Sequence, residues 1–396
     1  MAIQYIADAD ITGKKVVARF DFNVPLNKET GEITDTTRVD RALETIKLIL
    51  EKEPKKLILM SHLGRPKGEV KKEFSLEPVA KYLAEKLNED VLLTESALDR
   101  SIKTFLSLSD NRIILLENLR FHKEETACDS KFAKTLASYG DVFVHDAFGT
   151  AHRKHASTYE IIRSFPRAAY AGEILRKEVE ALTKVVEKPT TPFVGIVGGA
   201  KVSDKIKILE SLLPNVTNLL IGGAMAYPFL KAQGHTVGSS LCSDEDVDLA
   251  KKLLSKSSAN KILLPVDHLI ADNPDGVAET TDGVDIPDGK MALDIGPKTI
   301  QKYSEALSTA KTVLWNGPMG FFEKESFSKG TFSIADTLAT LKDAFTLVGG
   351  GDSVSAVNKS GKSDQISHIS TGGGASLEYI ENGTLPGIQA LRFGIN

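Results

Sequence analysis

Lys201 and Lys205 stand four residues apart, just past a glycine pair that ends the apolar run of FVGIVGGAKVSDKIKIL, Phe193 to Leu209. Glycine lets backbone N–H groups approach an anion closely, and a helix that starts there turns its positive end towards it. Positions i and i+4 share a helix face, so the spacing predicts both ammonium groups on one side of the first turns. Cations are disfavoured at that end unless an anion offsets the repulsion, so the pair points to phosphate. The phosphate-loop pattern G-x-x-x-x-G-K-[ST] is absent. Three more glycine clusters follow in the second half: IGGAM, VGGGDS and STGGGAS. In VGGGDS, Asp352 offers one carboxylate. Mg²⁺ takes one or two carboxylates and fills its shell with nucleotide phosphates, so a lone Asp suits it; Asp352 could also cap a helix. Glu323, in WNGPMGFFE, could accept hydrogen bonds from a ribose.

The first half carries a different set. After Arg176 the only arginine is Arg392. Four stretches, ARFDFNVP, SHLGRPKG, LLENLRFHKEE and HDAFGTAHRKHAS, combine arginine with apolar runs, and Arg38 lies in DTTRVD. They offer Asp21, Asn23, Arg38, His62, Arg65, Arg120, His152 and Arg153. The balance is basic and suits a small polyanion, with Asp21 and Asn23 able to hold a hydroxyl. A lone arginine after a strand is ordinarily a surface ion pair worth under ~1 kcal/mol. SHLGRPKG, with His, Arg, Pro and two glycines after an apolar run, is harder to explain that way. His122, His145 and His155 read as structural.

These residues need rigid elements to hold them. At ~150 residues per domain, 396 residues give two or three domains. Apolar β-branched runs (KVVARF, KLILMS, DVLLT, RIILLEN and DVFVHD, then FVGIVGG, NLLIGG, KILLPV, TVLWNG and FTLVGGG) alternate with helical patterns such as Val39, Leu43, Ile46 and Leu50. The alternation predicts an α/β chain of two doubly wound, Rossmann-like parallel-sheet domains. The glycine clusters fall where such sheets bind ligands, beyond the carboxyl ends of the strands. Ala169 to Pro192 reads as one connecting helix, with Ile174, Val179, Leu182 and Val186 on one face and KPTTP as its breaker. The tail TLPGIQALRFGIN is too short for a domain and must pack elsewhere. A net charge of -4 gives no general attraction for nucleic acid or anionic membrane. Two cysteines, Cys128 and Cys242, without metal spacing suit a reducing, cytoplasmic setting. No signal peptide and no apolar run of ~20 residues is visible.

Taken together, RxDFNVP, SHLGRPKG, LLENLRF, DAFGTAHR, GGAKVSDK, WNGPMG, GGGDS and STGGGASLE resemble phosphoglycerate kinases, in that family's order and over nearly the whole chain. The resemblance implies transfer of the acyl phosphate of 1,3-bisphosphoglycerate to ADP with Mg²⁺, giving 3-phosphoglycerate and ATP. It implies that Asp21, Phe22, Asn23, Arg38, His62, Gly64, Arg65, Arg120 and Arg153 hold the phosphoglycerate. Lys201, Lys205, Ala292, Glu323, Gly350, Gly351, Asp352 and Ser353 would hold the nucleotide, with Asp352 on the metal. Arg38, Lys201, Gly373 and Gly374 would serve the transfer, in a cleft closed by hinge bending. It also implies a monomer whose tail returns to the first domain: residues 1–170 plus 383–396 as one domain, 171–382 as the other, and a helix at about 171–187 as the joint. His145 stands where the family usually has Asn, Pro228 where Thr is common, and Ala292 where Gly is frequent; none removes a charge. Two rivals are weaker. A dehydrogenase would want G-x-G-x-x-G followed by an acidic residue, which neither half has. A nonenzymatic relative would have lost Arg38, Lys201 or Asp352, and all three are present.

Overall fold

In the computed structural model, which describes residues 2–99, 101–108 and 110–395, the apolar runs of the first half are parallel strands. These are β1 (Lys15–Phe20), β2 (Lys56–Met60), β3 (Val91–Leu93), β4 (Ile113–Leu115), β5 (Val142–Asp146) and β6 (Ala169–Ala171). They lie side by side in the order β3-β4-β2-β1-β5-β6. Alternate residues serve opposite faces: Val16, Ala18 and Phe20 of β1 join one core, and Val17 the other. Both faces are therefore covered, which is why these strands are apolar throughout rather than alternating. The helix Thr37–Glu51 lays Val39, Ala42, Ile46 and Ile49 on the first of these cores.

In the second half the strands are β7 (Phe193–Val197), β8 (Asn218–Ile221), β9 (Ile262–Leu263), β10 (His268–Ala271), β11 (Glu279–Thr280), β12 (Met291–Ile295), β13 (Thr312–Asn316), β14 (Phe345–Val348) and β15 (His368–Ile369). Six of them form a second parallel sheet, β15-β14-β13-β7-β8-β9. The other three form a small antiparallel sheet, β11-β10-β12, that the alternation of apolar runs did not predict. The reason is plain at β11, whose two residues are both exposed.

The chain divides into two compact units, Met1–Glu180 with Thr384–Asn396, and Ala181–Gly383. The division falls inside the helix Glu173–Val186 rather than at residue 170. The expected connecting helix is also shorter at its start. Residues 169–171 are β6, paired with β5 through Phe143↔Ala169 and His145↔Ala171. Gly172 then passes so close to Asp146 that a Cβ there would overlap the carboxylate. Asp146 Oδ1 accepts from the Leu175 N–H at 2.9 Å, and Thr45 Oγ1 accepts from the Glu173 N–H at 3.0 Å. In the first unit the tail helix Pro386–Phe393 buries Ile388 and Ala390, and the Gly387 N–H donates to the Ala151 carbonyl at 2.9 Å.

Asp146 carries a pH dependence. Full burial pushes its carboxyl up to about 7, against the pull of donors at Thr45, Leu175 and Ile174, and its Oδ2 has no partner among the described residues. The folded chain keeps this proton up to about pH 7, whereas an unfolded one loses it near 3.8. Between those values the folded state binds more protons, so stability falls as pH rises. Asp146→Asn, neutral throughout, should flatten that slope in urea denaturation curves at about pH 5 and about pH 8. An unchanged slope would show that Asp146 is not its source.

Candidate functional site

In the first unit the loops that leave β1, β2, β4 and β5 meet at the carboxyl edge of the sheet. Arg38, at the start of its helix, donates Nη1 to the Asn23 carbonyl at 2.9 Å and lies 3.4 Å from Asp21 Oδ1. Asn23 Oδ1 accepts from the Gly64 N–H at 2.8 Å, and the Gly64 carbonyl accepts from Arg120 Nη1 at 2.7 Å. Asn118 links the same loops, its Oδ1 taking the N–H groups of Leu63 and Arg120. His62 is buried and places Nδ1 3.1 Å from Arg19 Nη2. Arg19 is fully buried; Nε donates to Ser157 Oγ at 2.8 Å, and Glu125 lies 4.0 Å away. Glu125 also takes the Ser157 hydroxyl and N–H, at 2.6 and 3.0 Å.

This corner holds more positive charge than it neutralises. Burial, then Arg19 and Arg153, lower the Arg120 pKa to about 10, with Glu125 and Asp21 opposing. Burial, then Arg120, Arg19 and Arg153, lowers His155 to about 4. His62 is held well below the usual imidazole range by burial, then by Arg19, Arg120 and Arg38. Arg120 Nε is buried with no partner among the described residues. A buried cationic donor left open is costly unless an anion completes it.

In the second unit the glycine clusters follow β7, β8, β14 and β15, on one sheet edge. Gly350, at φ +94°, leads into the helix Gly351–Ser360, and Gly373, at φ +54°, into the helix Gly374–Asn382. Neither start has a side-chain cap, and the N–H groups of Gly351 and Gly374 have no partner among the described residues, so they can meet an anion. Ser353 instead turns its hydroxyl inward to accept from the Gly317 N–H at 2.5 Å. Asp352 is exposed beside it. Lys205 donates Nζ to Asn316 Oδ1, while Asn316 Nδ2 donates to the Gly349 carbonyl at 2.7 Å. Burial lowers the Lys205 pKa, and Asp352 and Asp204 raise it, so ammonium and carboxylate share one neighbourhood.

The two lysines are not on one helix face. The helix there is Ile206–Leu212, Lys205 caps it, and Lys201 lies before it in an exposed loop. Gly198 and Gly199 spend residues on a tight return beside Gly317, so helical geometry starts later than the apolar spacing suggested. The charge of Lys201 is felt by Asp246.

A phosphoglycerate kinase family model matches residues 6–383. Phosphoglycerate kinase of Borrelia hermsii is 49% identical over 396 residues, covering 99% of this chain and 100% of that protein. The chain belongs to the phosphoglycerate kinase family. That family places it among phosphotransferases with a carboxyl acceptor. The phosphoglycerate kinase of Clostridium botulinum is 50% identical over 393 residues, 98% of each chain. The solved structure of phosphoglycerate kinase from Coxiella burnetii matches with a TM-score of 0.91 at 40% identity, over 99% of both chains. That from Pyrococcus horikoshii gives 0.83 at 30% identity, also over 99% of both.

The residues expected from the resemblance to phosphoglycerate kinases are not all alike in this structure. Asp21, Asn23, Arg38, His62, Gly64 and Arg120 are linked by the contacts above, and Arg153 acts on Arg120 electrostatically while exposed. Arg65 is exposed and makes no hydrogen bond or ion pair among the described residues, and Glu323 is likewise exposed. Phe22 is a core residue stacked on Phe20, its N–H donated to Ser61 Oγ at 2.8 Å. Ala292 is buried in β12; its N–H donates to Ser240 Oγ and its carbonyl accepts from Tyr227. Of the departures, Pro228 is buried in the helix Ala226–Ala232, and His145 is fully buried with Nδ1 accepting from the Ala147 N–H. Arg19, Asn118, Glu125, His155, Ser157 and Asn316 were not anticipated. The signal for Arg19 was its charge between Ala18 and Phe20, near the end of the run KVVARF.

Proposed function

We propose that the first unit binds the phosphoglycerate and the second binds Mg-nucleotide, and that the chain carries out reversible in-line transfer of the acyl phosphate of 1,3-bisphosphoglycerate to ADP. The observation that carries this reading is the under-neutralised arginine corner with its open Arg120 Nε. A small ligand bearing phosphate and carboxylate supplies what that corner lacks. Asp21 and Asn23 would position its hydroxyl, and Arg38, His62, Arg65, Arg120 and Arg153 its anionic groups.

In the second unit, the glycine-led helix starts at Gly350–Gly351 and Gly373–Gly374 would receive phosphate oxygens on backbone N–H groups. Lys205 would add a fixed charge, and Glu323 and the backbone near Ala292 would lie along the nucleoside. Among the described residues no three acidic, His or Cys side chains converge into a metal cage. A single exposed carboxylate, Asp352, fits Mg²⁺ that is otherwise held by nucleotide phosphates. When bound, that ion neutralises phosphate charge.

The acceptor in the reverse direction is a carboxylate, ionised at pH 7, so no general base is required. The work is positioning and charge neutralisation. Arg38 and Lys201 would flank the transferring phosphoryl from the two units, which must close on one another and exclude water. We place this chemistry in a cytoplasmic monomer. No helix among the described residues is long and apolar enough to cross a membrane.

The test is ATP formation from 1,3-bisphosphoglycerate and ADP as a function of Mg²⁺, in the parent and in Asp352→Asn. The parent should turn over, and the variant should need about tenfold more Mg²⁺, the scale on which weakened coordination shows. An unchanged requirement would remove Asp352 from the metal; no ATP from a folded parent would overturn the reading.

A further inference from the structure

We propose that Arg19 is a positioning residue for the phosphoglycerate site, fixing His62 as the neutral Nε2–H tautomer so that the ring meets its ligand only as a hydrogen-bond donor. This rests on the assignment of that ligand to the first unit. A guanidinium has five N–H donors and no acceptor. Arg19 Nη2 lies 3.1 Å from His62 Nδ1. At that distance Nδ1 must accept, and in a neutral imidazole the proton then sits on Nε2.

Among the described residues the opposite tautomer has one candidate acceptor for an Nδ1 proton, Asp21 Oδ1. It lies 3.9 Å away, beyond hydrogen-bond reach. That oxygen is also engaged elsewhere, by the Asn23 N–H at 3.1 Å and by Arg38 at 3.4 Å. A doubly protonated ring would set an N–H against Arg19 Nη2 and add charge beside Arg38, Arg120 and His155.

Arg19 cannot easily turn away. Its Nε is held by Ser157 Oγ at 2.8 Å, its Nη1 by the Phe20 carbonyl, and Glu125 anchors Ser157 through two hydrogen bonds. The chain Glu125–Ser157–Arg19–His62 is buried throughout. The free end of it is His62 Nε2, which has no partner among the described residues and is not sealed from solvent. The site therefore presents a donor at this point, and it selects ligands that place a lone pair there: a carboxylate, a phosphate or an ether or hydroxyl oxygen used as acceptor. An amine or amide N–H in that position would face a second donor and be rejected.

The experiment is long-range ¹H–¹⁵N correlation on ¹⁵N-histidine-labelled full chain from ~pH 5 to ~pH 8. His62 should show a bare Nδ1 and a protonated Nε2 across the range. An Nδ1–H tautomer, or imidazolium appearing near ~6.5, would overturn the proposal. This needs no variant and so does not depend on refolding a disturbed core. Ser157→Ala then removes the hydroxyl that holds Arg19 while keeping every charge. It should give His62 a mixture of tautomers and raise KM for 3-phosphoglycerate about fivefold, the scale of one hydrogen bond, with the nucleotide KM unchanged. No change in either tautomer or KM would overturn it. Addition of 3-phosphoglycerate should shift Nε2. The predicted tautomer without any response to that ligand would instead refute the assignment of the ligand to this unit.

Discussion

Arg38→Ala is expected to lower kcat about 10³-fold, the low end of what an arginine on a transferring phosphoryl group contributes. The KM for phosphoglycerate should rise far less. Arg38 differs from its neighbours in this. Arg19 and Arg120 are buried and committed to the loops around them, whereas the Arg38 side chain is 39% exposed and, among the described residues, held only through Nη1. The rest of its fork is free to meet charge that develops during transfer, and an interaction made mainly in the transition state appears in kcat. Arg38→Lys should recover little, because an ammonium cannot reproduce the planar fork. Steady-state kinetics with both substrates varied is the check, with circular dichroism to confirm the fold. An unchanged kcat with a raised phosphoglycerate KM would make Arg38 a ground-state binding group.

Gly317→Ala should destabilise the second unit by about 3 kcal/mol or more. Two costs combine. Gly317 has φ +100°, where a Cβ costs about 1–3 kcal/mol. That Cβ would also overlap the carbonyl of Gly198, a backbone atom that cannot swing aside, adding about 1–3 kcal/mol. Gly198 is fixed in turn, since its own Cβ would overlap the Pro318 carbonyl. The loops after β7 and β13 are thus interlocked through two glycines, which places Asn316, and through it Lys205. The chain has its own reporter. Trp315, the single tryptophan, is fully buried and donates Nε1 to the Gly317 carbonyl at 2.7 Å. Urea unfolding followed by its fluorescence should show the midpoint fall. A midpoint within error of the parent would mean that the two loops can move apart.

Much of the frame was legible because buried parallel strands are apolar on both faces. Runs such as KLILM and VFVHD have few other readings once helical patterns separate them. Strand order was not legible: β1 lies between β2 and β5, and nothing in KVVARF names its neighbours. The antiparallel sheet escaped because β11 buries nothing and leaves no apolar trace. In the site, glycines and arginines announced themselves by position, but their supports did not. Glu125 sits in HKEE, which reads as a solvated run, yet it is fully buried beneath Arg19. Asn316 looks like a turn residue, yet it joins a lysine to a glycine loop. Such residues act through partners over a hundred positions away, and spacing along the chain carries no record of that distance.

The tail has a consequence for how the protein is made. The first unit is built from Met1–Glu180 and Thr384–Asn396. Its last helix fills a place where Gly387 meets Ala151 and where Ile388 is wholly buried. A ribosome makes those residues only after the whole second unit. The unit begun first therefore has its last helix only once the whole second unit has been translated, whereas the later-made unit is contiguous in sequence and has all its residues earlier. Birth order and completion order are reversed.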